Sequence, residues 1–142
     1  MATDDASATI LPASQCWALL RQSVVGRLAV VDDEGQPDIF PVNHVVDHAA
    51  VAFRTADGTK LARAINRKVA FEVDGYDTET RSAWSVVLKG AAREIWAVDD
   101  AIKALELPLT PWQQSAKPRL VRLEPTSVTG RRFVVAGGAG PA

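Results

Sequence analysis

The sequence predicts a mainly β (α+β) domain, a small antiparallel barrel of six to seven strands with two or three short helices. Three observations lead to this prediction. Short segments of alternating apolar and polar residues recur along the chain, hairpin turns such as Asp32–Gly35 separate them, and helical spacing is confined to short stretches. The 142 residues, 47% of them hydrophobic, suffice for one core and are too few for two domains.

The chain is expected to open with a loose arm and one helix. Residues 1–10 are mostly small or polar, which predicts an N-terminal arm that packs against nothing. Ser14 can cap a helix that ends near Gly26. The apolar face of this helix is formed by Cys16, Trp17, Leu19, Leu20 and Val24. Such an amphipathic helix is expected to cover one side of the sheet.

Two strands joined by a hairpin are predicted after the helix. They correspond to residues 26–31 and 37–46, on either side of the turn at Asp32–Gly35. Pro41 in the second segment cannot donate a backbone hydrogen bond, so this strand is expected at a sheet edge or a bulge. A turn then leads into a third strand over residues 49–55.

The segment after the third strand has the pattern of an anion-binding loop. Ala56–Gly58 is a turn signal, and from Thr59 to about Arg67 the apolar residues fall at helical spacing. A strand that passes through a tight loop into a helix presents free backbone N–H groups and the positive end of the helix dipole. Arg54, Thr59 and Lys60 would add polar contacts. The pattern therefore indicates a phosphate site or, alternatively, an ordinary turn beside solvated charges.

The second half of the chain is expected to complete the barrel. Residues 68–74 alternate as a half-buried strand, and a polar loop follows at 75–80. A long strand over 83–96 has Gly90 as its expected bend. A short helix is predicted over 99–105, where two following prolines prevent its continuation.

The C-terminal region is predicted to supply the last strands and a flexible tail. The extended segments are 119–125 and 128–135, and the tail of small residues is 136–142. The predicted folded domain therefore comprises residues 11–135.

Composition argues against several classes of function. The chain has 16 Lys and Arg against 17 Asp and Glu, so no basic field favours nucleic acid. The single cysteine, Cys16, excludes an intramolecular disulfide, and with only two histidines a structural zinc site is not expected. No apolar run approaches the ~20 residues of a membrane span, and the N-terminus is acidic, unlike a signal peptide. We expect a cytoplasmic protein.

Several motifs in register resemble those of one known family. They are Gly26-Arg27-Leu28, Gly35-Gln36-Pro37, Phe40-Pro41-Val42-Asn43, Phe53-Arg54-Thr55, Gly58-Thr59-Lys60, Ile65-Asn66 and Trp84-Ser85-Val86-Val87 with Lys89-Gly90. Their order and spacing are similar to those of the pyridoxamine 5′-phosphate oxidase-like flavoproteins, whose fold is the FMN-binding split β-barrel. The chain most resembles the short flavin-nucleotide-binding proteins of actinobacteria, and the resemblance covers residues 19–133.

The resemblance implies an FMN site at the interface of a homodimer. The cofactor-binding residues it implies are Pro41, Val42, Asn43, Phe53, Arg54, Thr55, Thr59, Lys60, Trp84 and Ser85. By analogy, the group from Arg54 to Lys60 holds the phosphate, Pro41–Asn43 lines the isoalloxazine edge, and Trp84 and Ser85 come from the partner subunit. From the residues alone, Trp84 also fits a core aromatic and Asn43 a polar residue at a strand end.

Departures from the family pattern concern the substrate. The chain keeps Arg122-Leu123-x-Pro125, but Ser127–Thr129 replaces an aromatic stretch and no histidine follows His48. These departures predict a substrate other than pyridoxamine phosphate. Arg131 and Arg132 fit either an anionic substrate or a solvated or dimer-contact pair. His44 and His48 are expected to be structural or exposed.

The leading functional hypothesis is a flavin-dependent oxidoreductase in which no protein side chain acts as acid, base or nucleophile. This fits a sequence without a convincing triad, metal cluster or paired carboxylates. One alternative is a coenzyme F420-dependent reductase, for which Arg63, Arg67 and Lys68 could hold the acidic tail. The other is a non-catalytic module that binds flavin or haem.

Overall fold

The computed structural model describes residues 8–56, 63–95 and 118–135. These residues form a single α-helix, α1 (Ala13–Gln22), and eight strands. The strands are β1 (Thr9–Ile10), β2 (Val25–Val31), β3 (Pro37–Asn43), β4 (Val45–Asp47), β5 (Ala50–Ala56), β6 (Lys68–Asp77), β7 (Ser82–Glu94) and β8 (Pro118–Val134). No helix in the described ranges is long and apolar enough to cross a membrane.

The strands form one curled antiparallel sheet in the order β3-β2-β6-β7-β8-β5-β4, and β1 pairs with β8. β3 lies at one edge of the sheet, as Pro41 predicts, and its residues also contact β5 on the other side of the opening. The predicted mainly β, split-barrel fold is confirmed.

The core fills the inside of the curled sheet. Its largest fully buried side chains include Phe53, Phe71 and Leu88, which come from three different strands. α1 buries Cys16 and Leu20 against the sheet, as its apolar face predicts. Strand alternation explains this arrangement, because every second side chain of β5, β6 and β7 points inward.

Two glycines allow the strands to pack closely. A Cβ atom on Gly26 would lie 2.1 Å from Cζ of Phe71, so the ring occupies the space that any side chain would need. A Cβ atom on Gly90 would lie 2.4 Å from the carbonyl oxygen of Glu124. The register between β7 and β8 shifts between Lys89 and Gly90, which confirms the bend predicted there.

The helix predictions need two corrections. Ser14 is not the N-cap, because α1 begins after Pro12 and has no side-chain cap bond. In the described part of the second predicted helix, residues 63–67 contain only one 3₁₀ turn. The backbone N–H of Asn66, which has φ 67°, donates to the carbonyl of Ala92 instead of continuing a helix. The predicted helix over 99–105 lies outside the described residues.

The strand predictions are largely correct in position and differ at their ends. The predicted loop at 75–80 begins later, because residues up to Asp77 pair with β7 and the turn occupies 78–81. The segment 37–46 is divided at His44, whose N–H donates to the carbonyl of Val24. The two C-terminal segments form one strand, β8, with its irregularity near Pro125. At the N-terminus, Thr9 and Ile10 pair with β8, although the arm was expected to be loose.

Candidate functional site

Four of the residues that the resemblance assigns to a cofactor have inward-facing side chains. Phe53 is fully buried, Val42 and Thr55 are each 4% exposed, and Trp84 packs against the core while remaining partly accessible. The Trp84 indole also lies over Gly75, where a Cβ atom would be 2.6 Å from its Nε1. These four side chains form part of the inner packing of the barrel.

The other described residues of this set face outward. Pro41, Asn43, Arg54 and Ser85 alternate along their strands with the inward residues, so their side chains lie on the outer face of the sheet. Pro41 is exposed, and the other three are partly buried. Thr59 and Lys60, the remaining predicted phosphate contacts, lie outside the described residues.

The structure brings two of the predicted segments together across the opening of the barrel. β4 pairs with β5 so that Val45 lies opposite Ala52. This pairing ends at Val45, and Asn43 and Arg54 are the next residues beyond it that face the same side. β3 contacts β5, so the two strands lie close together here. An amide side chain, a guanidinium group and the backbone of an edge strand therefore lie together on the outer face.

Ser85 lies on a neighbouring side of the barrel. Asn43 pairs with Val25 of β2, Ser85 pairs with Asp74 of β6, and β2 and β6 are neighbours in the sheet. Three strand spacings amount to about 14 Å along a convex surface. The single chain therefore does not bring Ser85 next to Arg54 and Asn43.

A pair of carboxylates lies between these two positions. Arg27 Nη1 contacts Glu72 Oε1 at 3.2 Å and Asp74 Oδ2 at 3.1 Å, all three on the outer face. Burial, together with the hydrogen bond and the charge of Asp74, raises the pKa of Glu72 from its usual 4.5 to about 7, while Arg27 acts in the opposite direction. The sequence alone predicts no carboxylate pair. Their signal was present in the alternation of Glu72 and Asp74 on the polar face of a predicted strand.

A second ion pair that the sequence did not predict lies at the end of the barrel where β5 ends. Arg119 Nε is 3.3 Å from Glu94 Oε1, and only 8% of the Glu94 side chain is exposed. Thr55 is opposite Arg119 in the β5–β8 register. Glu94 and Arg119 are far apart in sequence and pair only through β7 and β8, so no local pattern could indicate this contact.

The two histidines, each expected to be structural or exposed, occupy different environments. His44 is 4% exposed, its Nε2 lies 2.9 Å from the Leu20 carbonyl oxygen, and its ring packs edge-on against Phe71. Burial lowers the pKa of His44, although its hydrogen bonds with Leu20 and Val24 oppose this shift. His48 is exposed and contacts Asp47. Within the described residues, no group of three or more His, Cys, Asp or Glu side chains could hold a metal ion.

Comparison with known proteins identifies the family of this chain. The family model of pyridoxamine 5′-phosphate oxidase matches residues 12–132. The chain belongs to this family. The resemblance seen in the motifs is therefore confirmed over nearly the whole folded region.

Related proteins support the same assignment. The FAD binding protein from Mycobacterium smegmatis is 43% identical, and its structure matches with a TM-score of 0.83 over 90% of this chain and 100% of that chain. A conserved protein of unknown function from Corynebacterium diphtheriae is 39% identical, with a TM-score of 0.76 over 90% of this chain and 99% of that chain. An uncharacterized protein from Mycobacterium tuberculosis is 36% identical over 104 residues, 69% of this chain and 68% of the relative.

Proposed function

We propose that this protein is a flavin-binding oxidoreductase whose cofactor lies on the outer face of β3 and β5. The observation that carries the proposal is the contact between β3 and β5, strands that carry Asn43 and Arg54 from separate motifs on the same outer face. The 43% identical relative from Mycobacterium smegmatis, described as an FAD binding protein, supports a flavin as the ligand. FMN and FAD share the flavin ring and its first phosphate, and this part of the site suits both.

The residues present fit the flavin in charge and polarity. Arg54 supplies a fixed positive charge for a phosphate, and a charge-assisted hydrogen bond contributes roughly 1.5–3 kcal/mol. The backbone of edge strand β3 near Pro41 and the amide of Asn43 provide neutral hydrogen-bonding groups for the polar edge of the ring. When bound, a flavin supplies hydride or electron transfer, and the protein binds, orients and shields it. We assign no residue a catalytic acid, base or nucleophile role.

Flavin titration tests this proposal directly. We expect FMN and FAD to bind the wild-type protein with quenching of flavin fluorescence. The Arg54→Ala, Lys60→Ala double variant should lose about 3 kcal/mol or more of binding free energy, because two charged phosphate contacts disappear. Lys89→Ala, which removes an exposed charge from β7, is the control and should bind as the wild type does. Failure of the wild-type protein to bind either flavin would refute the proposed function.

We also propose that the working unit is a homodimer with a cofactor site at each interface. On the outer face near Pro41 the sheet exposes apolar side chains, including Ile39 at 65% and Val25 at 44%. Such apolar surface is typical of contact regions. The distance of about 14 Å around the convex sheet separates Ser85 from Asn43 in one chain, whereas a second copy could bring its own Ser85 to the same flavin.

A mixing experiment tests whether two chains share each site. The Arg54→Ala and Ser85→Trp variants remove a phosphate contact and obstruct the predicted partner contact, so each alone should bind flavin poorly. Random dimerisation of the two co-expressed variants should restore about a quarter of the sites, because each heterodimer regains one site with both wild-type residues. A monomer in solution, or no recovery on mixing, would contradict the proposed arrangement.

Two alternatives remain testable with the same protein. Coenzyme F420 in place of flavin would need a basic surface for its acidic tail, and Arg63, Arg67 and Lys68 do lie close together beside one cleft. The same cleft carries three aspartates, however, which disfavours an acidic tail. A non-catalytic flavin- or haem-binding module is separated from an enzyme by turnover with a chemical reductant and an artificial electron acceptor.

A further inference from the structure

The carboxylate pair of β6 lies on the same face of the sheet as the proposed flavin site. In the strand register, Pro41 of β3 is opposite Arg27 of β2, and Arg27 is in turn opposite Glu72 of β6. Side chains of directly opposing residues lie on the same side of a sheet. Two strand spacings therefore separate the backbone of Glu72 from that of Pro41, about 10 Å in all.

Arg27 and Asp74 hold the Glu72 side chain on this face. Arg27 Nη1 lies 3.2 Å from Glu72 Oε1 and 3.1 Å from Asp74 Oδ2. Burial, a side-chain hydrogen bond with Asp74 and the charge of Asp74 raise the pKa of Glu72 to about 7, while Arg27 opposes the shift. Two carboxyl groups can share a hydrogen bond only when one of them carries a proton, because two carboxylates offer no donor. A small change in the surrounding charge therefore decides whether Glu72 is protonated near neutral pH.

The charges that act on Glu72 come from Arg27 and Asp74. Its neighbour on β7 is the uncharged Val87, and Asp74 is opposite Ser85. Among the described residues, the next titratable side chains on this face lie one residue pair or one strand further away. They are Tyr76 on β6, Lys89 on β7 and Arg131 on β8. A charge that appears at the proposed flavin site would thus be a new influence on Glu72.

Reduction of a bound flavin creates such a charge. Two electrons and one proton added to a neutral flavin ring leave the ring with one negative charge. An ionised Glu72 about 10 Å away is repelled by that charge, whereas a neutral carboxyl group is not. If a second proton reaches Glu72, two electrons and two protons have entered together and the summed charge of ring and carboxyl group is unchanged. The electrons come from an external reductant and the protons from solvent.

We infer that Glu72 takes up one proton from solvent when the bound flavin is reduced and releases it when the flavin is reoxidised, while Arg27 and Asp74 fix its side chain. This inference rests on the proposed function, since it assigns a role to a residue beside the same cofactor. Glu72 acts through its charge and not by contact with the reacting atoms. Its role is to make the electron affinity of the flavin depend on pH near neutrality.

The midpoint potential of the bound flavin tests the inference. Glu72 is largely neutral at pH 5.5 and largely ionised at pH 9 in both flavin states, so its charge opposes reduction only at pH 9. Two unit charges about 10 Å apart, at an effective dielectric constant of about 20, change an equilibrium constant about tenfold. Between pH 5.5 and pH 9 the wild-type potential should therefore fall by about 30 mV more than that of Glu72→Gln, which is tenfold for a two-electron couple.

Two further variants separate this effect from a structural one. Glu79→Gln removes the same charge from the exposed turn between β6 and β7, and its potential should follow the wild type at every pH. Asp74→Asn removes the charge that helps to raise the pKa of Glu72, so the additional fall in potential should begin at a lower pH. Reductive titration with dithionite and reference dyes measures all four proteins.

Nuclear magnetic resonance of the Glu72 carboxyl carbon gives a second readout. In the flavin-free protein this group should titrate near pH 7. With reduced flavin bound, the midpoint of its titration should lie about one pH unit higher than with oxidised flavin. The same midpoint in both flavin states would overturn the inference.

The outcomes distinguish the inference from the proposed function. If the wild type and Glu72→Gln both bind flavin and their potentials depend equally on pH, Glu72 takes up no proton and the inference fails, while flavin binding stands. An offset between the two potentials that is the same at pH 5.5 and pH 9 would have the same consequence. A wild-type protein that binds no flavin would refute the proposed function, and the inference with it.

Discussion

Neighbouring residues of the same motif lie on opposite faces of the sheet and differ in burial. Phe53 is fully buried among core side chains, whereas the next residue, Arg54, faces outward and is only partly buried. The same contrast separates Trp84, which packs over Gly75, from Ser85 on the opposite face. A contiguous motif in a strand therefore contains two sets of residues with different physical roles.

This difference separates stability from ligand binding within each motif. Inward residues such as Phe53 contribute through apolar burial, and their substitution changes the free energy of unfolding. Outward residues such as Arg54 contribute charge or hydrogen bonds to a ligand and should change the fold little. The predictions below test this separation, from the largest expected effect to the smallest.

The strongest test is Phe53→Ala. Because the ring is fully buried, its removal should lower the free energy of unfolding by about 3–5 kcal/mol. The control Val134→Ala, at a side chain that is 51% exposed, should change it by less than about 0.5 kcal/mol. Arg54→Ala, at a partly buried side chain that faces outward, should cost clearly less than Phe53→Ala. Urea unfolding measures all three. Comparable losses for Phe53→Ala and Arg54→Ala would mean that the two faces do not differ as described.

A smaller change in the free energy of unfolding is expected from the carboxylate pair, Glu72 and Asp74, on the outer face. The folded-state pKa of Glu72, about 7, lies above its ordinary value, so ionised Glu72 destabilises the fold and this cost grows as the pH rises from about 4.5 to 7. Glu72→Gln should therefore be more stable than wild type at pH 8 by about 1–2 kcal/mol, less than the full shift implies because solvent screens a 30% exposed side chain.

The pH dependence of this difference distinguishes titration from a general effect of the substitution. The advantage of Glu72→Gln should be nearly gone at pH 4.5, where wild-type Glu72 is protonated in the folded state and about half-protonated in the unfolded chain. Glu79→Gln, in the exposed turn between β6 and β7, removes the same charge and serves as control. A stability difference that is the same at pH 8 and pH 4.5 would contradict the assignment.

The smallest effect on stability is expected from His44 on the inner face. Its pH dependence is opposite to that of Glu72, because stability falls as the pH is lowered. Burial holds its folded-state pKa below the ordinary 6.5, so the unfolded chain takes up a proton first as the pH falls. Stability should fall by at most about 1.4 kcal/mol between pH 6.5 and 5.5. In His44→Leu this part of the pH dependence should be absent, although the variant is less stable throughout because the Leu20 carbonyl loses its partner. His48→Ala is the exposed control.

Local sequence patterns predicted most of the sheet because alternation and turn chemistry are local properties. The hairpin at Asp32–Gly35 follows from Asp32, which bonds to two backbone N–H groups, and from Gly35, which has φ 82°. The bend at Gly90 was also predictable from a local signal, because a glycine inside a strand often marks a bend or bulge. The resemblance to the family, and not the periodicity, predicted that the barrel is split and that Pro41–Asn43 and Ser85 belong to the site.

The features that the sequence did not indicate depend on contacts between distant segments. Asn66 adopts φ 67° and bonds to Ala92, which ends the helical spacing that its own segment suggests. Residues 75–77 remain in β6 because β7 supplies partners for them, despite their turn-like composition. The cleft at Phe40 and the Arg119–Glu94 ion pair likewise arise only when separate strands meet. Propensity is a weak guide wherever such tertiary contacts compete with it.

The position of the single cysteine under β8 protects its thiol from oxidation. Cys16 is 1% exposed, burial raises its pKa, and a Cβ atom on Gly130 would lie only 2.5 Å from its Sγ. The sulfur therefore packs directly against Gly130 of β8, and the thiolate that oxidants attack is scarce. In a protein proposed to carry a redox cofactor, the only thiol is thus shielded both sterically and chemically from peroxide that a reduced flavin releases on meeting oxygen.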